Sequence, residues 1–205
     1  MNQSAPLTLV FDVGLVLIDA DYQPFLDFMR DHGADAADME AFCAAVDLDA
    51  HERGEIGPEE FLDRLQRSAT REPDRLRLLQ SWNSMYRPVV PMIEFVRAAS
   101  RRQPVHLLSN MGELHWRHLQ EAFGIPSLGH GALASYKVGA LKPDPAIYAV
   151  TEDRFGLDPS RTVFIDDRPV NIAAARARGW LGIVHRSPGA TLAALADLGV
   201  EVGAG

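Results

Sequence analysis

Residues 7–19, LTLVFDVGLVLID, decide the fold. Leu7, Thr8, Leu9, Val10 and Phe11 make the short apolar run that a strand covered on both faces needs, and Asp12 ends it. A carboxylate at the C-terminal tip of such a strand lies where open α/β sheets place their ligands. Gly14, two residues on, permits a backbone conformation or a close approach that other residues resist. Taken alone, the same residues also describe a strand followed by an Asx turn.

Three more strand ends carry complementary chemistry. Val105-His106-Leu107-Leu108 runs into Ser109-Asn110, a glycine-bearing loop leads to Lys142-Pro143-Asp144-Pro145, and Thr162-Val163-Phe164-Ile165 runs into Asp166-Asp167. Between them, helical and strand patterns alternate. Helices are expected over residues 92–101, 113–123, 146–155 and 169–178, and strands over 104–108, 132–135, 162–165 and 181–184. Such alternation predicts an α/β fold, a three-layer Rossmann-like parallel sheet core with helices on both faces.

Residues 19–87 interrupt that pattern. Phe25, Phe28 and Met29 recur at helical spacing ahead of Gly33, a C-terminal stop. Residues 36–49 form a second helix with Met39, Phe42, Cys43 and Val46 on one face, and Gly57-Pro58 opens a third with Phe61, Leu62 and Leu65 as its stripe. A fourth runs over 76–85. No strand is expected here, so the segment is an inserted all-helical unit, with 1–18 and 88–205 forming the core domain. A small Gly/Ala-rich tail at 203–205 is expected to fray.

At 205 residues the chain suffices for one sizeable core with a smaller insert. A hydrophobic fraction of 47% with 23% charged residues excludes a disordered chain, and a formal net charge of −8 argues against nucleic acid or anionic membranes as partners. The single cysteine, Cys43, leaves no disulfide framework and no cysteine cluster for zinc; it is expected to be a small core residue. Asp12 breaks the N-terminal apolar stretch and no basic segment precedes it, so neither a signal peptide nor a membrane span is expected, and a cytoplasmic location is the default.

An Asp, a Ser-Asn pair, a Lys and an Asp pair, in this order at successive strand ends, resemble the four motifs of the haloacid dehalogenase-like (HAD) hydrolase superfamily. The resemblance covers most of residues 7–180. It implies that the insert is a helical cap closing over the active site, and that the activity is hydrolysis of a small phosphorylated substrate. Phosphoryl transfer needs an in-line nucleophile, positive charge on the non-bridging oxygens and donors that hold the group. By the resemblance, Asp12 is the nucleophile that forms an aspartyl-phosphate, and Ser109 with Asn110 and its neighbouring N–H groups binds phosphate oxygens. Lys142, preferred over Lys137 for its Lys-Pro-Asp-Pro context, is the cation. Mg²⁺ would be held by Asp12, the Gly14 carbonyl and Asp167, with Asp166 as a ligand through water or behind the direct ligands, and Asn171 would orient the metal waters. The pair Asp166-Asp167 ahead of Pro169 is also an ordinary helix start, and the two roles are compatible.

Gly14 is the main departure. HAD phosphatases usually carry a second Asp two residues after the nucleophile, as acid to the leaving group and base to the water. Phe11-Asp12-Val13-Gly14, and the cap sequence His51-Glu52-Arg53-Gly54-Glu55-Ile56, resemble the glucose-1-phosphate phosphatase-like group of sugar-phosphate phosphatases. There a good leaving group would need less protonation, and His51 or Glu52 of the cap could supply some. His115 and His118 are expected to face solvent, and Trp82 and Tyr86 to pack in the cap core. Two alternatives remain open: a haloacid dehalogenase, against which the Asp pair speaks, and a non-catalytic relative that lost turnover with the second Asp.

Overall fold

The computed structural model describes residues 6–203, so the last two residues of the Gly/Ala tail lie outside the described residues. In chain order, β1 (Thr8–Phe11) is followed by the short β2 (Ile18–Ala20) and then by α1 (Gln23–Asp31), α2 (Met39–Ala45), α3 (Leu48–Glu52), α4 (Pro58–Arg67) and α5 (Arg75–Asn83). β3 (Tyr86–Pro88) returns the chain to α6 (Val90–Ala99), β4 (Val105–Ser109), α7 (Glu113–Phe123) and β5 (Gly131–Ala134). The last part is α8 (Pro145–Phe155), β6 (Thr162–Asp166), α9 (Pro169–Ala177), β7 (Leu181–Val184) and α10 (Pro188–Asp197).

Five strands pair in the order β5-β4-β1-β6-β7, all parallel. Alternate residues serve opposite faces, as the period of a strand demands. Leu9 and Phe11 of β1, Leu107 of β4 and Ile165 of β6 pack under α6 and α7, while Val10, Leu108 and Phe164 pack against Ile147 and Tyr148 of α8 and Ile172 of α9. This is the expected three-layer core. β1 is central, and the chain first builds outward to β4 and β5 and then crosses to β6 and β7. The reversal puts a crevice at the C-terminal ends of β1, β4 and β6.

The insert is helical and has its own apolar cluster, including Phe25, Phe42, Phe61, Leu65 and Trp82, joined by Leu114 of α7. Complete burial of such side chains contributes about 1.5–3 kcal/mol each. Two features differ from the sequence expectation. β2 and β3 form an antiparallel ribbon at the root of the insert, pairing Asp19 with Arg87 and Ala20 with Tyr86. The helix expected over 36–49 is two helices, because Asp47 takes a left-handed φ of 58° and its carboxylate accepts from the Ala50 N–H to cap α3.

The insert meets the core at α3. Ser135 Oγ donates to the Glu52 carbonyl at 2.6 Å and accepts from the Met111 N–H at 2.9 Å. Gly54 and Gly112 make this approach possible: a Cβ on Gly54 would lie 2.3 Å from the Tyr136 carbonyl oxygen, and one on Gly112 would lie 2.1 Å from His51 Cδ2.

Candidate active site

β1 registers Phe11 against Leu107 of β4 and Ile165 of β6, so Asp12, Ser109 and Asp166 emerge together at the sheet's C-terminal edge. The loop after β5 brings in Lys142. Its ammonium lies 2.8 Å from Asp12 Oδ2, 2.7 Å from Asp166 Oδ2 and 3.2 Å from the Leu108 carbonyl, almost wholly out of solvent. A lysine buried in this way is held charged by its partners. Although burial pulls its pKa down, Asp12 and Asp166 together raise it above the ordinary value.

The carboxylates diverge. Burial, with the Asp166 charge adding to it, pushes Asp12 up to about 7 against the pull of Lys142. Burial also acts on Asp166, but Lys142, the Arg168 N–H and Asn171 outweigh it and hold that carboxyl below its usual range. Asp166 is saturated: Asn171 Nδ2 donates to both of its oxygens at 3.0 Å and the Arg168 N–H to Oδ1 at 2.8 Å. Asp167, raised by burial and by Asp166, lines the open cleft.

The donor set fits a hard divalent cation. One carboxylate oxygen from each of Asp12, Asp166 and Asp167 lies within 4.8 Å of the others. Three carboxylates against one ammonium leave two net negative charges, which a divalent cation would neutralise. Asn171 Oδ1 is buried without a partner beside them, an acceptor aimed at nothing the protein supplies.

Several sequence expectations change in detail. Asn110 does not offer its side chain to a ligand, since both ends of its amide are bonded to the Lys142 backbone. Only its N–H remains for a phosphate, beside the Ser109 hydroxyl. Asn171, expected to orient metal waters, spends its amide N–H groups on Asp166. Gly14 is demanded neither by backbone nor by crowding: its φ is not positive, and a Cβ there would meet nothing within 4 Å. The next residue, Leu15, carries the left-handed φ of 55°.

The cleft has a volume of about 610 Å³ and is lined from the core by Asp12, Ser109, Lys142 and Asp167 and from the insert by Tyr22, Cys43, Glu52 and Trp82. Cys43 is thus a half-buried wall residue rather than core. Of the two cap candidates, Glu52 lines the cleft and His51 does not: its ring stacks on Phe61 at 4.3 Å under Gly112. Burial, with Asp49 adding to it, pushes Glu52 up to about 7 against Lys142 and Arg168. His115, expected in solvent, is 5% exposed and stacked on Trp82. Trp82 does pack in the insert's core, fully buried, and with Tyr86 it also stands in the cleft wall. Arg168, which the sequence reading did not single out, lines it too; its place just after the Asp pair was the available signal.

Fold and site together define a Rossmann-like α/β hydrolase with a carboxylate cluster and a buried lysine at the sheet's switch point. The family model of haloacid dehalogenase-like hydrolases matches residues 8–179, and the chain belongs to this family. Over 181 residues it is 24% identical to D-ribitol-5-phosphate phosphatase of Bacteroides thetaiotaomicron, covering 84% of this chain and 88% of that one. A local match to the CBBY-like protein of Arabidopsis thaliana is 46% identical over 46 residues, 22% of this chain and only 14% of that relative's length. Among solved structures, the HAD family enzyme BT-2542 of Bacteroides thetaiotaomicron, in complex with magnesium and inorganic phosphate, superposes with a TM-score of 0.80 at 23% identity, covering 89% of this chain and 95% of that one. Among the described residues no helix is long and apolar enough to cross a membrane.

Proposed function

We propose that this hydrolase is a Mg²⁺-dependent phosphatase of a small phosphorylated metabolite, a sugar or polyol phosphate, acting through an aspartyl-phosphate on Asp12. The observation that carries the proposal is the Lys142 ammonium wedged between Asp12 and Asp166 while Asp167 faces the open cleft. It sets one carboxylate beside positive charge at the point where a phosphoryl group would sit. The similarity to D-ribitol-5-phosphate phosphatase supports the substrate class.

In this scheme an Asp12 oxygen attacks phosphorus, the bond from phosphorus to the alcohol oxygen breaks, and the alcohol leaves with a proton. Water then attacks the acyl phosphate, releasing inorganic phosphate and restoring the carboxylate. Lys142 bears on the charge of the phosphoryl oxygens, and Ser109 with the Asn110 N–H holds them. Asp12, Asp167 and the Gly14 carbonyl would hold Mg²⁺, with Asp166 and Asn171 behind them. When bound, the ion supplies positive charge to the phosphoryl group.

Residues 19–87 act as the cap over a core of 1–18 and 88–205. Glu52, facing the cleft with a carboxyl raised to about 7, takes the acid and base role that Gly14 cannot fill. A dehalogenase would have no use for the cleft-facing Asp167, whose charge would oppose a departing halide.

The test is phosphate release from a panel of phosphorylated metabolites, with Mg²⁺ and after chelation. Release that requires Mg²⁺ and vanishes in Asp12→Asn is expected. No release from any ester by the wild-type protein would overturn the proposal and favour a non-catalytic role.

A further inference from the structure

Three aromatic side chains that this phosphoryl transfer does not use form a fixed unit in the cleft lining. The His115 ring stacks on Trp82 with centroids 4.6 Å apart at 10°, and meets the Tyr86 ring edge-on at 4.5 Å and 84°. His115 Nδ1 lies 3.0 Å from the Tyr86 hydroxyl. All three residues line the cleft.

Burial drives His115 down to about 3, so its imidazole is neutral and carries one N–H. Among the described residues Nε2 finds no hydrogen-bond partner, so the bond between Nδ1 and the Tyr86 hydroxyl is what fixes the ring against its neighbour. A tyrosine hydroxyl has one proton and two lone pairs, so with one position taken by Nδ1 it keeps further hydrogen-bonding capacity for the cleft. The ionisable groups around that hydroxyl are Tyr22, Glu52 and Cys43, each of which also lines the cleft.

We propose that the Tyr86 hydroxyl, held by His115, is a specificity-determining contact that hydrogen-bonds a hydroxyl on the alcohol portion of the substrate. The proposal rests on the phosphatase reading and adds how the cleft separates hydroxylated esters from plain alkyl esters. An alkyl ester covers the Tyr86 hydroxyl and returns no hydrogen-bonding group, so the hydroxyl is left unpaired on that side. His115 acts through Tyr86 as a positioning residue.

The test compares D-ribitol 5-phosphate with n-pentyl phosphate, esters of similar chain length that differ in their hydroxyls, using p-nitrophenyl phosphate as a reference for turnover. Wild-type enzyme is expected to prefer the polyol ester. Tyr86→Phe keeps the ring and its edge contact, and should raise KM for the polyol ester about three- to tenfold with kcat little changed, while leaving pentyl phosphate unaffected. His115→Phe should reproduce that split, and His115→Asn, whose amide keeps a hydrogen-bonding group near Nδ1, should lose less. Thermal unfolding of each variant separates this from loss of fold. An equal change on both esters, no change on either, or a wild-type enzyme without preference for the polyol overturns the inference while the phosphatase reading stands. Absence of wild-type turnover on all three esters overturns both.

Discussion

Asn110 clasps the backbone of Lys142 with both ends of its amide: Nδ2 donates to the Lys142 carbonyl at 2.9 Å, and Oδ1 accepts from the Lys142 N–H at 2.7 Å. The clasp ties the tip of β4 to the loop before α8 and fixes where the ammonium enters the carboxylate cluster. Asn110→Ala removes both bonds and leaves every charge in place. Turnover of a phosphate ester should fall about 10²-fold, the cost of displacing a reacting group by roughly 1 Å. Lys142→Ala should fall further, and the double variant no further than Lys142→Ala alone, because one residue acts through the other. Steady-state kinetics on the four proteins decide this; full additivity would place the role of Asn110 elsewhere.

The docking of α3 on the core gives a second prediction. A methyl group at Gly112 would lie 2.1 Å from His51 Cδ2, and that ring cannot retreat because it is stacked on Phe61 at 4.3 Å and 4°. Gly112→Ala should therefore destabilise the protein by about 1–3 kcal/mol, the usual cost of overpacking. The glycine φ is −79°, so the backbone itself tolerates alanine. Adding His51→Ala to the same chain should recover part of the loss, measured as the midpoint of thermal unfolding. A Gly112→Ala protein as stable as the parent would mean that α3 can lift from the core at little cost.

Much of this architecture is written locally. Gly124, Gly156 and Gly179 take positive φ just beyond α7, α8 and α9, and proline starts α4, α8 and α9, so those ends can be read from single residues. α10 carries the same signature in Ser187, whose hydroxyl accepts from the Ala190 N–H, and Pro188, but its weak amphipathic pattern predicts no helix. The β2–β3 ribbon was illegible because its partners, Asp19 with Arg87 and Ala20 with Tyr86, lie at opposite ends of the insert and show no apolar alternation. Among site residues, Asp12, Lys142, Ser109 and the Asp pair are readable as strand-end chemistry. The clasp by Asn110, the grip of Asn171 on Asp166 and the burial of His115 are not, since each depends on a partner distant in sequence. His115, in the first turn of α7, reads as solvent-facing until Trp82 and Tyr86 cover it.

A third prediction concerns acid. His106 in β4 is 7% exposed, stacks on Phe155 at 4.2 Å, and its Nδ1 has no hydrogen-bond partner. Burial, with neighbouring His130 adding to it, lowers the ring's pKa from 6.5 to about 4. The folded state therefore binds this proton less readily than the unfolded chain. Its neutral form supports folding fully above pH 6.5, and that support is lost as the pH falls toward 4. The loss approaches about 3 kcal/mol at the acid end of the window. His106→Phe should flatten the acid limb of a stability profile measured by denaturant unfolding between these limits. An unchanged acid limb would assign the effect to other buried groups, with His115 the first to examine.

The last prediction returns to Gly14 and the proton that the leaving alcohol needs. The space around Gly14 is open, with nothing within 4 Å of a Cβ, so Gly14→Asp should fold with an unchanged unfolding midpoint and place a carboxyl near Asp12. In the proposed scheme the acid of the wild-type protein is Glu52, which lines the cleft, whose carboxyl is raised to about 7 and whose neighbours include Lys142 and Arg168. General acid catalysis is worth about 10²–10⁴-fold, and nearly all of it falls on leaving groups that are poor without protonation. Glu52→Gln should therefore leave hydrolysis of an acidic aryl phosphate almost unchanged and cut hydrolysis of an alkyl phosphate by about 10²-fold or more. A plot of log kcat/KM against leaving-group pKa steepens accordingly. The basic limb of the pH profile for the alkyl ester, which requires protonated Glu52 and so declines above about 7, should disappear with the same substitution. Placing Gly14→Asp in the Glu52→Gln protein should make the plot shallow again by supplying the acid from the core instead of the insert. Equal losses on aryl and alkyl esters in Glu52→Gln would show that Glu52 shapes the cleft without giving a proton.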